Sequence, residues 1–159
     1  MKRDWVLPTG FTLRLVGEND QEFLRALFYS ARPELTRLPL PPAQLTKLMR
    51  QQYESQQHSY REQHPQAEHW IILRQAEPVG KIMFERLQTT LHVIDFIIAA
   101  EWRGRGIGRS TLTALKAHAD VGVLSLQVDR QNINAKRLYH QLGFVKSQSS
   151  DTHEFLVWS

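Results

Sequence analysis

AAEWRGRGIGRSTLTALKAHA, residues 99–119, sets three glycines at alternate positions and three arginines, Arg103, Arg105 and Arg109, ahead of a run with helical spacing. A strand-like run, LHVIDFII (91–98), leads into it and another, LSLQV (124–128), follows it. Strand, helix (about 106–119) and strand in succession predict a parallel crossover that joins 91–98 to 124–128. A helix opening on such a turn presents N–H groups without intrahelical partners and the positive end of its dipole. Glycine lets a ligand reach the main chain, and the guanidinium groups add formal charge. The combination suits a diphosphate. Read alone, the string is equally a glycine-rich connection with solvated arginines. Two phosphate fingerprints fail on it: G-x-G-x-x-G meets Arg109 or Thr111 in its last place, and Gly-Lys-Ser/Thr occurs nowhere.

Working back from this turn, HWIILR, VGKIMFERL and LHVIDFII, with breaks at Glu77-Pro78 and Gln88-Thr89-Thr90, predict an antiparallel meander. FTLRLV (11–16) alternates like a half-buried strand, and GEND supplies turn and cap residues. A first helix is expected from near Asn19, with Phe23, Leu24, Leu27 and Phe28 at helical spacing before Pro33. LPLPP (38–42) breaks the chain and sets up a second helix from about Pro42 to His64, with a thin stripe of Leu45, Leu48, Met49 and Tyr53. Its glutamine-rich remainder is either a solvated face or a mobile cover over a substrate site. Working forward, a helix over about 133–142 precedes two strands, FVKSQ and HEFLVW. The last could pair at an edge and support a dimer, so both monomer and homodimer stay open.

The 159 residues, 42% hydrophobic and 23% charged, are expected to form one domain over 1–159 with a full core. A net charge of +4 favours anionic partners without choosing among them. The absence of cysteine excludes disulfides, thiolate ligands and an acyl-cysteine intermediate. MKRDWVLPTGF lacks an apolar leader core, and no uncharged apolar run reaches the roughly 18 residues of a membrane span, so a cytoplasmic protein without membrane contact is expected. His58, His64 and His69 show no i, i+4 partner or carboxylate at a known ligand spacing, and no metal is expected. The basic residues gather at one helix entrance and no RNP-type aromatic string occurs, which argues against a nucleic-acid partner.

NINAKRLYHQLGF (132–144) fits N-x-x-A-x-x-L-Y-x-x-x-G-F at every specified place. With R-x-x-G-x-G at Arg103, Gly106 and Gly108, it closely resembles the GNAT superfamily of acyl-CoA-dependent N-acetyltransferases. The resemblance implies an α/β fold: a mixed, mostly antiparallel sheet of about 6–7 strands with a splayed parallel pair, flanked by about four helices. It further implies that residues Arg103, Gly104, Arg105, Gly106, Ile107, Gly108 and Arg109 form the turn that cradles the coenzyme A pyrophosphate. Ile97 and Ile98 would pair with the pantetheine, Asn132 and Ala135 would border it, and Tyr139 would lie near the thioester sulfur. Acetyl-CoA is then the donor and an unidentified primary amine the acceptor, in a ternary-complex transfer without a metal.

Acetyl transfer from a thioester needs a neutral amine, support for the oxyanion and a proton for the thiolate. Tyr139, with an ordinary phenol pKa near 10, can give the proton. The same residue also falls on an apolar helix face with Ala135, Leu138 and Leu142, where an aromatic is ordinarily core. Asn132 and Gly143 read equally as N-cap and C′ residues. Many family members carry a glutamate six residues before the position matched by Ile98. Here that place holds His92, a chemically suitable base, with Asp95, Glu85 and water as rivals. The missing glutamate is the best support for another reading, a regulatory module that binds acyl-CoA without turnover.

Overall fold

The computed structural model describes residue 7, residues 10–118 and residues 122–159. Seven strands form one sheet: β1 (Phe11–Leu15), β2 (Glu68–Arg74), β3 (Glu77–Leu87), β4 (Thr90–Ile98), β5 (Leu124–Asp129), β6 (Val145–Ser149) and β7 (His153–Trp158). Their order is β1-β2-β3-β4-β5-β7-β6, and β4–β5 is the parallel pair. Alternate residues of a strand face opposite sides, and β2 divides accordingly. Trp70 packs into the core with Leu112 and Leu115 of α4 (Ile107–His118) and Tyr139 of α5 (Ile133–Leu142). Ile71 packs with Leu24 and Phe28 of α1 (Gln21–Ser30) and Tyr53 of α3 (Pro42–Gln63). A single turn, α2 (Pro33–Thr36), bridges α1 and α3.

The meander and the crossover stand where the spacing puts them, with differences in detail. The first turn of the meander is at Gln75-Ala76, where Gln75 takes a left-handed φ of 54°, and Glu77 and Pro78 already belong to β3. Pro78 is tolerated because it coincides with a register shift opposite Ile72 and Leu73. Thr90 likewise starts β4, leaving Gln88 and Thr89 as the turn. At the first helix, residues Glu18–Asp20 form a 3-10 turn before α1. Asp20 does not cap α1, because its carboxylate is taken by Arg14 at 2.8 and 2.9 Å and by the Gly17 N–H at 2.7 Å. HEFLVW is no edge: β7 pairs with β5 over its whole length and with β6 on its other side, so the edges are β1 and β6. Residues 1–6, 8 and 9, most of the stretch read for a leader, and the expected last helical residue, 119, lie outside the described residues. Among those described, no helix is long and apolar enough to cross a membrane.

Two irregularities in β4 shape everything that follows. The β3–β4 register steps so that Met83 faces Asp95 while Phe84 faces Val93, which leaves Ile94 as a bulge. The β4–β5 pairing holds only through Leu91↔Leu124, His92↔Ser125 and Val93↔Leu126. Beyond the bulge β4 runs on to Ile98 beside β3 and β5 runs on to Asp129 beside β7, so the two parallel strands part.

Candidate active site

The wedge opened by that parting leads into a cavity of about 550 Å³. One wall is β4: Ala99 N–H donates to the Val79 carbonyl at 2.8 Å. Strand alternation therefore turns the main-chain groups of Ile97 toward β3 and those of Phe96 and Ile98 into the wedge, where no strand meets them. Of the expected pair, Ile98 is thus the one whose main chain faces the wedge, and its carbonyl already accepts from Arg103. Phe96 is its counterpart, and nothing in the sequence shows where the bulge resets the alternation. Gly80 allows β3 to press against this segment, since a Cβ there would stand 2.7 Å from the Ile97 carbonyl oxygen.

At the mouth of the wedge the chain turns through Arg103–Gly106 into α4. Gly104 and Gly106 adopt φ of +75° and +79°, a region costly for any other residue. The first helical bond runs from Ser110 N–H to the Gly106 carbonyl at 3.0 Å. The N–H groups of Ile107, Gly108 and Arg109 have no intrahelical acceptor and mark the positive end of α4. Gly108 sits where a Cβ would come 3.3 Å from Leu138, so it keeps α4 close to α5. The three arginines divide. Arg103 donates from Nε to the Ile98 carbonyl at 2.9 Å and clamps the strand end to the turn, and Arg109 donates to Gln141 of α5 at 2.9 Å. Both line the cavity, whereas Arg105 lies outside it, its guanidinium 4.7 Å from the Trp102 ring centroid.

The opposite wall is α5. Asn132 caps it, its side-chain oxygen accepting from Ala135 N–H at 3.2 Å, which leaves its amide N–H groups for the cavity. Asn132, Ala135 and Tyr139 all line the cavity, and so do Ile97, Ile98, Gly104, Gly106, Ile107 and Gly108. Gly143 ends the helix at φ +116°, with the Phe144 N–H returning to the Tyr139 carbonyl at 3.0 Å. Tyr139 packs edge-on against Phe144, with centroids 5.6 Å apart. Burial pushes its hydroxyl up to about 12, and the charge of Asp95 adds to the shift. It is therefore a phenol, never a phenolate, at ordinary pH.

His92 is not in this cavity. It stands below the bulge, on the still-paired part of β4, with Nδ1 2.8 Å from Ser125 Oγ and its ring stacked 6.0 Å from Phe155. Burial lowers its pKa, opposed by Glu85, so the ring is neutral at pH 7. Glu85 itself is held by His64 at 2.8 Å. Asp95, above the bulge, lies 2.7 Å from the buried Lys81 Nζ. Of the three candidate bases it is the one whose charge reaches Tyr139. The histidines also differ from expectation: His58 does have a carboxylate one turn on, Glu62 at 3.1 Å, both side chains exposed. Among the described residues no three histidine, aspartate or glutamate side chains gather to hold a metal ion.

A family model described as the Acetyltransferase (GNAT) family matches residues 32–144. No curated protein is significantly similar in sequence. Among solved structures, the PaiA N-acetyltransferase from Thermoplasma acidophilum in complex with coenzyme A superposes with a TM-score of 0.70. It shares 15% identity over 94% of this chain and 98% of its own. An acetyltransferase from Thermus thermophilus gives 0.68 and 21% over 96% and 98%. A spermidine N-acetyltransferase from Vibrio cholerae gives 0.62 and 17% over 94% and 93%. At these identities the likeness is one of fold.

Proposed function

The chain belongs to the acetyltransferase (GNAT) family, and from that premise we propose that it moves an acetyl group from acetyl-CoA directly to a primary amine. The observation that carries the reading is the wedge between β4 and β5, open at one end on the unpaired N–H groups of α4 and faced by Tyr139. The pyrophosphate sits on Ile107, Gly108 and Arg109 beside Arg103. The pantetheine adds to β4 through Phe96 and Ile98 as an extra strand would. Asn132 and Ala135 close over it, and the thioester ends below Tyr139.

The amine nitrogen attacks the thioester carbonyl carbon, the C–S bond of the tetrahedral adduct breaks, and the thiolate takes the Tyr139 proton. The amine proton goes to a base and returns from there to the tyrosinate, giving the amide and free coenzyme A. His92, acting through water, and Asp95 are the two groups on β4 placed for that proton. A base works only when deprotonated, so turnover falls as pH drops through its pKa. A His92 base gives an acid limb below pH 6.5, the ordinary value from which burial lowers it, and His92→Ala abolishes that limb. If Asp95 is the base, turnover survives His92→Ala and is lost in Asp95→Asn. Thiol release from acetyl-CoA across a panel of amines tests the whole reading. Tight coenzyme binding with no transfer to any of them would leave a ligand-binding module in its place.

A further inference from the structure

Helix α3 is long and poorly anchored: of 22 residues only Met49 and Tyr53 are buried. Its inward face continues past Tyr53 through Gln56, Gln57 and Tyr60 to His64, at helical spacing. That half is polar and packs over a polar part of the sheet. Tyr53 packs on Ile71 and His64 reaches Glu85 at 2.8 Å, so the turns between them lie over the stretch where His69 and Asp95 flank Met83 on neighbouring strands, and these groups share one seam.

Buried polar atoms in folded proteins are nearly all hydrogen-bonded, and each exception calls for a reason. Among the described residues six buried side-chain polar atoms lack a hydrogen bond, and four of them are in this seam: Gln56 Oε1, Gln57 Nε2, His69 Nε2 and Asp95 Oδ2. The Asp95 oxygen has Lys81 Nζ at 2.7 Å, an ion pair outside hydrogen-bond angles. The four atoms themselves are covered, but the parent side chains of the glutamines, His69 and Asp95 are only half-buried. Asp95 directly precedes Phe96, which lines the cavity with Tyr139, so the seam lies next to the cavity wall.

We propose that this seam receives the acceptor, and that the acceptor is an amine flanked by an amide, the chemistry of a peptide amino terminus. The inference rests on the acetyl-transfer reading above. The amine meets Asp95 at the end nearest Tyr139. The two glutamine side chains present an unspent acceptor and an unspent donor, the complement of a backbone N–H and C=O; exchanging the O and N of either amide leaves that complement intact. A polyamine offers only N–H donors and several positive charges, whereas Asp95 already has its cation in Lys81, which leaves Glu85, hydrogen-bonded to His64, as the one other seam carboxylate. One carboxylate does not match a polycation, and a chain of N–H donors leaves the glutamine donor unmet.

The test compares alanyl-alaninamide, n-butylamine and spermidine as acceptors, by thiol release, in the wild type and in Gln56→Leu and Gln57→Leu. It also measures binding of alanyl-alaninamide to the coenzyme A-loaded protein by calorimetry. The dipeptide amide should exceed both other amines at least tenfold in kcat/KM. Each glutamine variant should raise its KM and Kd about tenfold, the loss of one hydrogen bond to a buried group, with coenzyme A affinity unchanged. Both variants should melt no lower than wild type, since each removes an unpaired buried atom, so misfolding would not mask the result. Spermidine or butylamine serving as well as the amide, or unchanged KM and Kd in both variants, overturns the proposal and leaves the seam to water. Should no amine release thiol, the acetyl-transfer reading fails by itself. Calorimetry still decides the seam: amide binding lost in the glutamine variants sustains it, and no binding to the wild type sinks it.

Discussion

Tyr139 combines a half-buried ring with a hydroxyl that makes no hydrogen bond to any described residue, on a side chain that lines the cavity. Tyr139→Phe should lower kcat about 10²-fold with little change in coenzyme A affinity, as loss of a general acid does. With its pKa near 12, the hydroxyl remains protonated to beyond pH 10, so no alkaline loss of kcat below that pH should belong to it. Unchanged turnover in Tyr139→Phe would remove it from the chemistry. Asp20 is the counterpart on the stability side. The hydrogen bonds from Arg14 hold its carboxyl down to about 2 against burial, and the Gly17 N–H helps. A depressed carboxylate pKa stabilises the fold above the unfolded value, near 4, and that contribution is lost as pH falls toward 2. Asp20→Asn should therefore cost about 1–2 kcal/mol in urea unfolding at pH 7, and the gap should narrow from pH 5 to pH 3. A gap that does not move with pH would assign the loss to packing. At this scale the sequence exposed the glycine turn and Tyr139, whose types and spacing repeat a known pattern, and both line the cavity. It hid Phe96 and the division among Arg103, Arg105 and Arg109, because those depend on a one-residue bulge and on where Trp102 stands.

The elements themselves were legible wherever one face is strongly apolar. α4 and α5 and the three central strands begin and end within a residue or two of their periodic patterns, because Leu112, Leu115, Ile82, Phe84 and Leu126 must all reach one core. The strand order of the last hairpin was not legible. FVKSQ and HEFLVW have no local feature that says which of them pairs with β5, and the answer lies in Leu156 and Phe144 both reaching the α5 side. Gly143 is where helix, turn and sheet meet. Its φ of +116° excludes a side chain comfortably, and a Cβ would stand 2.9 Å from Trp158 Nε1 in β7. Gly143→Ala should destabilise the protein by about 2–3 kcal/mol, the strain and the clash together. Pairing it with Trp158→Phe, which trims the ring, should recover part of the loss in a double-mutant cycle. Strict additivity would show that the clash relaxes without involving the strand.

For the molecule as a whole, the consequence of the wedge is that one ligand would tie together parts that the sheet leaves separate. β4 and β5 share three residue pairs, and α4 and α5 meet chiefly at Gly108 and Leu138 and through Arg109 and Gln141. Coenzyme A lying across the end of β4, the turn, α4 and α5 binds only when all four are in place. Its binding free energy therefore adds to folding. At a hundredfold excess over Kd the gain is about 2.7 kcal/mol, which for a chain of this length raises Tm by roughly 5–10 °C. The diphosphate should supply most of it through the α4 N–H groups and Arg103, so pantetheine without phosphates should give a small fraction of that shift. Raising salt from low to high should erode the coenzyme A shift by screening the exposed arginines. A mixed oligonucleotide should give none, because the free N–H groups of α4 with Arg103 and Arg109 are shaped for a compact anion rather than for a run of phosphates. An equal shift from pantetheine would move the grip from the helix entrance to β4, and no shift from coenzyme A would leave the wedge without its ligand.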